Sequence, residues 1–299
     1  TTGITLPSSI DINVATTGNL ITTGITDIQA AITGESGSTF NITNTDCIKG
    51  LKEISDKQVD LTVTSPPYDN LRDYQGISWN SIVWKEVLQQ IYRVIKDGGV
   101  LVWIVGDSVV NGSETGTSFE QALYAKEIGF NLHDTMIYAK DSFAFPMNTR
   151  YHQVFEYMFI LSKGKPKTFN MIKDRLNKSV GCKLSSTDRQ KDGSLSVVDF
   201  SKRNNKEIKE YGGRFNIWEY KIGRGKIGDY STHPAPFPEK LAEDHIISWS
   251  NEGDTVLDPF CGSGTTGKMA VINNRNFIGF DLSSDYCEIA STRIKKALL

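Results

Sequence analysis

No stretch of this chain is apolar for long enough to cross a membrane. The longest apolar run, GVLVWIVG at 99–106, falls far short of the roughly 20 residues that a spanning helix needs, and it reads as a buried strand. Lysine and arginine are absent before Lys49, so the charged start of a secretory signal is missing and a cytoplasmic location is expected. Cysteine is scarce: Cys47, Cys182, Cys261 and Cys287 are scattered, with no Cys-x-x-Cys pair. That scatter argues against a disulfide framework and a structural zinc site, and reduced thiols are the simpler reading. The first 38 residues hold three acidic and no basic side chains, are rich in Thr, Gly, Ser and Ile, and carry the near-echo TTGNLITTGIT at 16–26. Short β pieces or a disordered leader both fit that low complexity, and no function is assigned to it. The chain begins without methionine, which suggests processing or a fragment.

What is present is an ordinary soluble composition over 299 residues, enough to bury a real core in one or two domains. The net charge of −2 conceals an asymmetry: residues 163–227 carry 17 Lys and Arg against 7 Asp and Glu, whereas the rest carries 16 against 28. Such a segment suits a polyanion, and equally a solvated loop region with lysines for solubility.

From residue 39 strands and helices alternate. STFNIT (38–43), VDLTVT (59–64), GVLVWIV (99–105), TVLDPF (255–260) and RNFIGFDL (275–282) read as buried strands. IKGLKEI (48–54), SIVWKEVLQQIYRVIK (81–96), FEQALYAKEIG (119–129), PEKLAEDHIISWS (238–250) and DYCEIASTRIKKAL (285–298) have helical periodicity. The second helix is expected to end at Asp97-Gly98-Gly99, where a left-handed residue is available. NLHDTMIYAK (131–140) and FEYMFILSK (155–163) come one after the other without a helix between them, as an antiparallel pair would. The rhythm implies an α/β fold with a mostly parallel sheet covered on both faces, from which the basic segment is an excursion.

Two stretches carry chemistry. VLDPFCGSGTTG (256–267) puts Gly262 and Gly264 between a strand and a helix, where a backbone can approach a ligand and helix N–H groups can meet an anion. Asp281 ends the next strand, where a carboxylate can accept from ribose hydroxyls. The turn is not G-x-G-x-x-G, which disfavours a nicotinamide dinucleotide, and a nucleoside ligand is the better reading. The second stretch is TSPPY (64–68): two prolines halt a strand abruptly because neither can donate to a ladder.

DPFCGSGTT, FIGFDL and TSPPY together resemble the principal motifs of the amino-group DNA methyltransferases, the N4/N6 DNA methylase family. SPPY precedes the Gly-rich motif with the basic segment between, which is the order of the family's β-type, circularly permuted class. HPAPFP (233–238), TDCIKGLKEI (45–54) and VFEYMFILSK (154–163) also match, so the resemblance covers about residues 39–299. It implies a Rossmann-like fold with a mostly parallel seven-stranded sheet, divided as a leader (1–38), a catalytic half (39–163), a basic target-recognition region (164–230) and a cofactor-binding half (231–299). It implies S-adenosyl-L-methionine as cofactor, double-stranded DNA as substrate and a cognate restriction endonuclease as a partner, with no membrane involvement.

Residue by residue, the resemblance places Phe260, Gly262, Gly264 and Asp281 in the cofactor pocket, with Thr265 and Thr266 at the methionine carboxylate and Asp46 near the adenine. Asp46 also reads as a helix N-cap, and Asp258, ranked below Asp281, as a local turn or cap. His233 is a candidate for the methionine end, or a structural turn before Pro234. The acceptor is an exocyclic amine whose lone pair is delocalised into the base. Ser65 Oγ and the Pro66 carbonyl can accept its N–H groups and free that lone pair, Pro67 holds the turn rigid, and Tyr68 would stack on a base that has left the duplex. Displacement at the methyl carbon then depends on alignment, and no cysteine nucleophile is needed, so Cys261 reads as packing. Phe143 and Phe145 are candidates for the base pocket or for packing under their loop, and loop 69–79 for a cover over the site or a plain connection. Serine at the first motif position leans towards cytosine N4. Adenine N6 methylation is the alternative, and a catalytically silent DNA-binding module of the same fold is a further one.

Overall fold

The computed structural model describes residues 32–33, 37–67, 79–143, 148–182, 187–197, 207–221 and 238–298. Most of the leader, Tyr68 with the loop after it, Phe145, parts of the basic segment and His233 with its neighbours lie outside the described residues. Contacts unite Ala31–Leu299 into one unit, which holds every element described below.

In chain order the unit begins with β1 (Ile32–Thr33), β2 (Thr39–Asn44), α1 (Cys47–Glu53), β3 (Val59–Thr64), α2 (Ser81–Val94) and β4 (Ile95–Val105). A small hairpin, β5 (Val109–Val110) and β6 (Ser113–Glu114), leads to α3 (Thr117–Glu127), β7 (Asn131–Lys140) and β8 (Phe155–Ser162). The basic segment holds β9 (Arg175–Leu176), β10 (Thr187–Arg189), β11 (Leu195–Val197), β12 (Tyr211–Gly212) and β13 (Ile217–Tyr220). The chain closes with α4 (Glu239–Trp249), β14 (Thr255–Asp258), α5 (Thr265–Ile272), β15 (Asn276–Asp281) and α6 (Ser284–Ala297).

The main sheet runs β1-β2-β15-β14-β3-β4-β8-β7-β13. Its inner seven strands are the ones expected, and β1 and β13 extend the sheet to nine. Strands β2, β15, β14, β3 and β4 pair in parallel, and β8 runs antiparallel to both β4 and β7. The strands before and after the basic segment interleave: β14 lies beside β3, and β15 beside β2. The two halves expected from the sequence are therefore one sheet.

Alternating side chains feed two cores, as a pleated strand requires. From β4, Val100, Val102 and Ile104 join the apolar residues of α4, α5 and α6, while Leu101, Trp103 and Val105 join those of α1, α2 and α3. Both faces of β4 are buried from Gly98 onwards, which is why GVLVWIV reads as a continuous apolar run. In α2 the buried Trp84, Val87, Leu88, Ile91 and Val94 recur at spacings of three and four, and Asn80 Oδ1 caps its start by accepting from Ile82 N (3.0 Å) and Val83 N (3.2 Å). Trp103 is fully buried and meets its polar demand by donating from Nε1 to Gln121 Oε1 at 2.7 Å.

Two expectations are corrected. Helix α2 stops at Val94 and not at Asp97-Gly98-Gly99, because Ile95 is already extended and pairs with Val59. Gly98 does adopt φ +81°, but within an irregularity of β4. The basic segment, expected as an excursion from the sheet, adds a strand to it: β13 pairs in parallel with β7 and buries Trp218 and Tyr220 at its edge. Arg214, just before β13, donates from Nη1 to the buried Asp244 Oδ2 of α4 (2.6 Å) and forms an ion pair with Asp174, so this return is fastened by charge as well as by backbone pairing.

Candidate functional site

In an open α/β sheet a ligand settles outside the carboxyl ends of the strands, where neighbouring crossovers leave in opposite directions. Here that point lies between β14, whose crossover through α5 goes to β15 on one side, and β3, whose crossover through α2 goes to β4 on the other. The Gly-rich turn and the SPP stretch leave the sheet at these two adjacent ends.

The turn after β14 is held from several directions. Gly262 has φ +48° and Gly264 φ +79°, the left-handed region in which a side chain is strained. Gly262 N donates to Asp281 Oδ2 at 2.9 Å, and Ser283 N donates to Oδ1 at 2.9 Å. Each Asp281 oxygen thus receives a backbone donor, and a carboxylate oxygen can accept a second bond from a hydroxyl. Burial pushes the Asp281 carboxyl up from its ordinary range, and the backbone N–H groups oppose that shift. Arg293 of α6, itself 6% exposed, steadies the turn from below by donating from Nη1 to Ser263 O (2.7 Å) and Ser263 Oγ (2.9 Å). Its Nη2 donates to Glu239 Oε1 at 2.7 Å, and Lys268 pairs with the same carboxylate.

Asp258, 2% exposed, is occupied by protein donors: Thr64 Oγ1 at 2.6 Å and Phe260 N at 3.1 Å on Oδ1, and Thr266 Oγ1 at 2.8 Å on Oδ2. Burial pushes its carboxyl up to about 6 despite those donors, with the Asp281 charge adding to the rise. Thr266 thereby spends its hydroxyl on Asp258, and Thr265 Oγ1 lies 3.5 Å from Arg293 Nη1. What the start of α5 offers an anion is backbone N–H, since its cap, Gly264, makes no side-chain cap bond.

Asp46 comes after β2, the strand beside β15, and caps α1: its Oδ1 accepts from Ile48 N and Lys49 N, each at 3.1 Å. The Asp281 and Leu282 carbonyls accept from Asn44 Nδ2 at 3.0 and 2.8 Å, tying the ends of β2 and β15 together. Phe260 packs edge-to-face on Trp79, with ring centroids 5.4 Å apart. Trp79, at the start of the described stretch that leads into α2, is thereby packed on the Gly-rich turn. Ser65 and Pro67 are half-buried and Pro66 is buried. Phe143 is 43% exposed and stacks on His152 at 4.1 Å, outside the packed core.

The structure thus brings Ser65, Pro66, Asp258, Phe260, Gly262, Gly264, Thr265, Thr266 and Asp281 to one edge of the sheet. Thr64, Trp79, Asn44 and Arg293 join them without having been singled out in the sequence. Arg293 had a readable signal: it is a charged residue in α6 next to the buried Ile294 and three residues from the buried Ala290. Among the described residues no cluster of His, Cys, Asp and Glu could hold a metal ion, and no helix is long and apolar enough to cross a membrane. An acidic strand end, a left-handed glycine turn and a helix start fit the ribose, the backbone approach and the carboxylate of an adenosyl amino acid.

Comparison with known proteins shows the family and the fold. The N6/N4 family model described as DNA methylase matches residues 59–292. The orphan methyltransferase M.BamHII of Bacillus amyloliquefaciens is 56% identical over 257 residues, spanning 83% of this chain and 93% of that protein. The DNA adenine methyltransferase YhdJ of Escherichia coli K12 is 26% identical over 258 residues, spanning 84% and 81%. The solved cytosine-N4-specific PvuII DNA methyltransferase shares the fold, with a TM-score of 0.62 and 18% identity over 91% of this chain and 95% of that one.

Proposed function

The chain belongs to the N6/N4 DNA methylase family, and on that premise we propose that it methylates the exocyclic N4 of cytosine in double-stranded DNA, with S-adenosyl-L-methionine as methyl donor. The observation that carries the proposal is the adjacency of β3 and β14, which brings Ser65-Pro66 beside the Gly-rich turn. In this reading Asp281 holds the ribose hydroxyls, the Gly262–Gly264 turn admits the cofactor and the start of α5 meets its carboxylate. Phe260 and Asp46 belong to the same pocket, and Asp258 supports it from beneath. When bound, the cofactor supplies an electrophilic methyl group on a sulfonium.

The chain's own work is then done at the amine. Ser65 Oγ and the Pro66 carbonyl accept its two N–H hydrogens, which concentrates the lone pair on nitrogen. Pro66 and Pro67 add no backbone donor that could compete. Tyr68 stacks on the extruded base, which cannot react while it remains in the duplex. The new bond from nitrogen to the methyl carbon would form as the methyl–sulfonium bond breaks, releasing a neutral thioether, and the surplus proton on the methylated nitrogen would pass to solvent, so the displacement needs an aligned approach more than an acid or a base.

Serine at position 65 favours cytosine N4, and adenine N6 is the second reading, supported by the likeness to YhdJ. The β-type permuted order, residues 164–230 as the part that meets the target sequence, a cytoplasmic location and a cognate restriction endonuclease belong to the same proposal. The test is to incubate protein, DNA and labelled cofactor, digest the DNA to nucleosides and identify the product by mass. N4-methylcytosine is expected. N6-methyladenine would overturn the base assignment, and no product together with no cofactor binding would leave a silent DNA-binding module. Mapping the methylated sequence, and finding an endonuclease that it blocks, tests the restriction partner.

A further inference from the structure

The backbone ladder between the two strands that carry the site is short. Strands β14 and β3 pair at Val256 with Leu61 and at Leu257 with Thr62, and the pairing ends there, whereas β3 stays paired with β4 through Thr64 and Trp103. The last residue of β3 is thus unpaired by backbone on the side that faces the Gly-rich turn. A side-chain contact takes over at that point: Thr64 Oγ1, fully buried, donates to Asp258 Oδ1 at 2.6 Å across 194 residues of sequence. The same carboxylate gathers Phe260 N of the turn and Thr266 Oγ1 of α5. One buried group therefore ties the acceptor strand, the turn and the start of the helix, and the residue it grips on β3 immediately precedes Ser65.

We infer that Thr64 is a positioning residue for methyl transfer, which holds the Ser65-Pro66 end of β3 in register with the cofactor turn by way of the Asp258 carboxylate. The inference rests on the proposed role of Ser65. Its physical basis is that displacement at a methyl carbon tolerates little misalignment, while the turn and the start of α5 keep their own bonds when Thr64's is removed, from Phe260 N and Thr266 Oγ1 to Asp258, from Gly262 N to Asp281 and from Arg293 to Ser263.

The test compares Thr64→Val, which keeps the branched shape and removes the donor, with Thr64→Ser, which restores it. For Thr64→Val, kcat should fall about tenfold or more, while the KM and the calorimetric Kd for S-adenosylmethionine stay within about twofold. Thr64→Ser should recover most of kcat. Wild-type kcat in Thr64→Val, a matching loss of cofactor affinity, or a Thr64→Ser variant as slow as Thr64→Val would each overturn the inference. Should Thr64→Val prove insoluble, Thr64→Ala removes the same bond and is read by the same split. Wild-type protein carried in parallel separates the two layers: a wild type that neither binds cofactor nor methylates DNA defeats the reading of the site itself.

Discussion

Replacing Gly264 by alanine tests whether the turn is fixed by close packing as well as by backbone conformation. The residue sits at φ +79°, where an L side chain costs about 1–2 kcal/mol. A Cβ built there would lie 2.7 Å from Ala290 Cβ and 2.9 Å from Ala290 Cα, whereas carbon atoms rest at roughly 3.5–4.0 Å. Helix α6 cannot simply retreat, because Arg293 on the same helix is bonded to Ser263, one residue before the glycine. Overpacking of this kind costs about 1–3 kcal/mol, so a total loss of about 2–5 kcal/mol is expected in urea unfolding. A turn displaced by the helix also moves Gly262 N off Asp281, and calorimetry should show cofactor affinity at least tenfold weaker, about 1.4 kcal/mol. A cycle with Ala290→Gly separates the two causes. Removing that methyl relieves the 2.7 Å contact and leaves both the left-handed strain and the 2.9 Å approach to Cα, so rescue should be partial, with a coupling of about 1–2 kcal/mol. A Gly264→Ala protein within about 0.5 kcal/mol of wild type, or a cycle with no coupling, would refute the packing argument.

Ser65→Ala should lower kcat while leaving cofactor affinity unchanged in a binding titration, and comparable losses in both would contradict its assignment to the acceptor. His245 is fully buried between Met158 and Trp218, with Asp244 and Arg214 as its charged neighbours, and burial pushes its imidazole down to about 3. It is therefore neutral in the folded protein, and as pH falls below about 6.5 the unfolded chain gains a proton that the folded one refuses, a loss of about 2 kcal/mol by pH 5. Asp258 acts in the opposite sense, since its raised carboxyl lets the folded state bind a proton first between pH 6 and 3.8. Wild-type stability alone mixes the two effects, so the measurement is the deficit of His245→Leu, which should shrink by about 2 kcal/mol between pH 7 and pH 5; a constant deficit refutes it. Arg293→Met should cost about 2–3 kcal/mol in urea unfolding through its buried bonds to Ser263, whereas Lys268→Met, the more exposed partner of Glu239, should cost under about 1 kcal/mol. Equal losses would show that the charge pair, and not the support of the turn, stabilises this corner.

The features legible in the sequence were those written in adjacent residues. Strand β3 coincides with VDLTVT because Val59, Leu61 and Val63 recur with the two-residue period of a strand and the residues alternating with them are mostly β-forming threonines, and the turn was legible because left-handed positions select glycine. Local signals also misled: Asp97-Gly98-Gly99 has the chemistry of a helix end, but Ile95 gains a strand partner in Val59, and tertiary pairing outweighs a capping preference. Strand β13 carries an alternating pattern, Trp218 and Tyr220 in, Ile217 and Glu219 out, but four residues within a basic stretch are too few to establish a period. Thr64 was illegible for a different reason: threonine is an ordinary β-former, and nothing nearby marks its hydroxyl as the donor to an acid 194 residues away. That contact becomes foreseeable once the strand order is known. Two parallel neighbours end on the same edge, so the side chains at their carboxyl ends meet even where their backbones have stopped pairing. The motif residues identify the chemistry, and the sheet order decides which unremarkable side chains hold them in place.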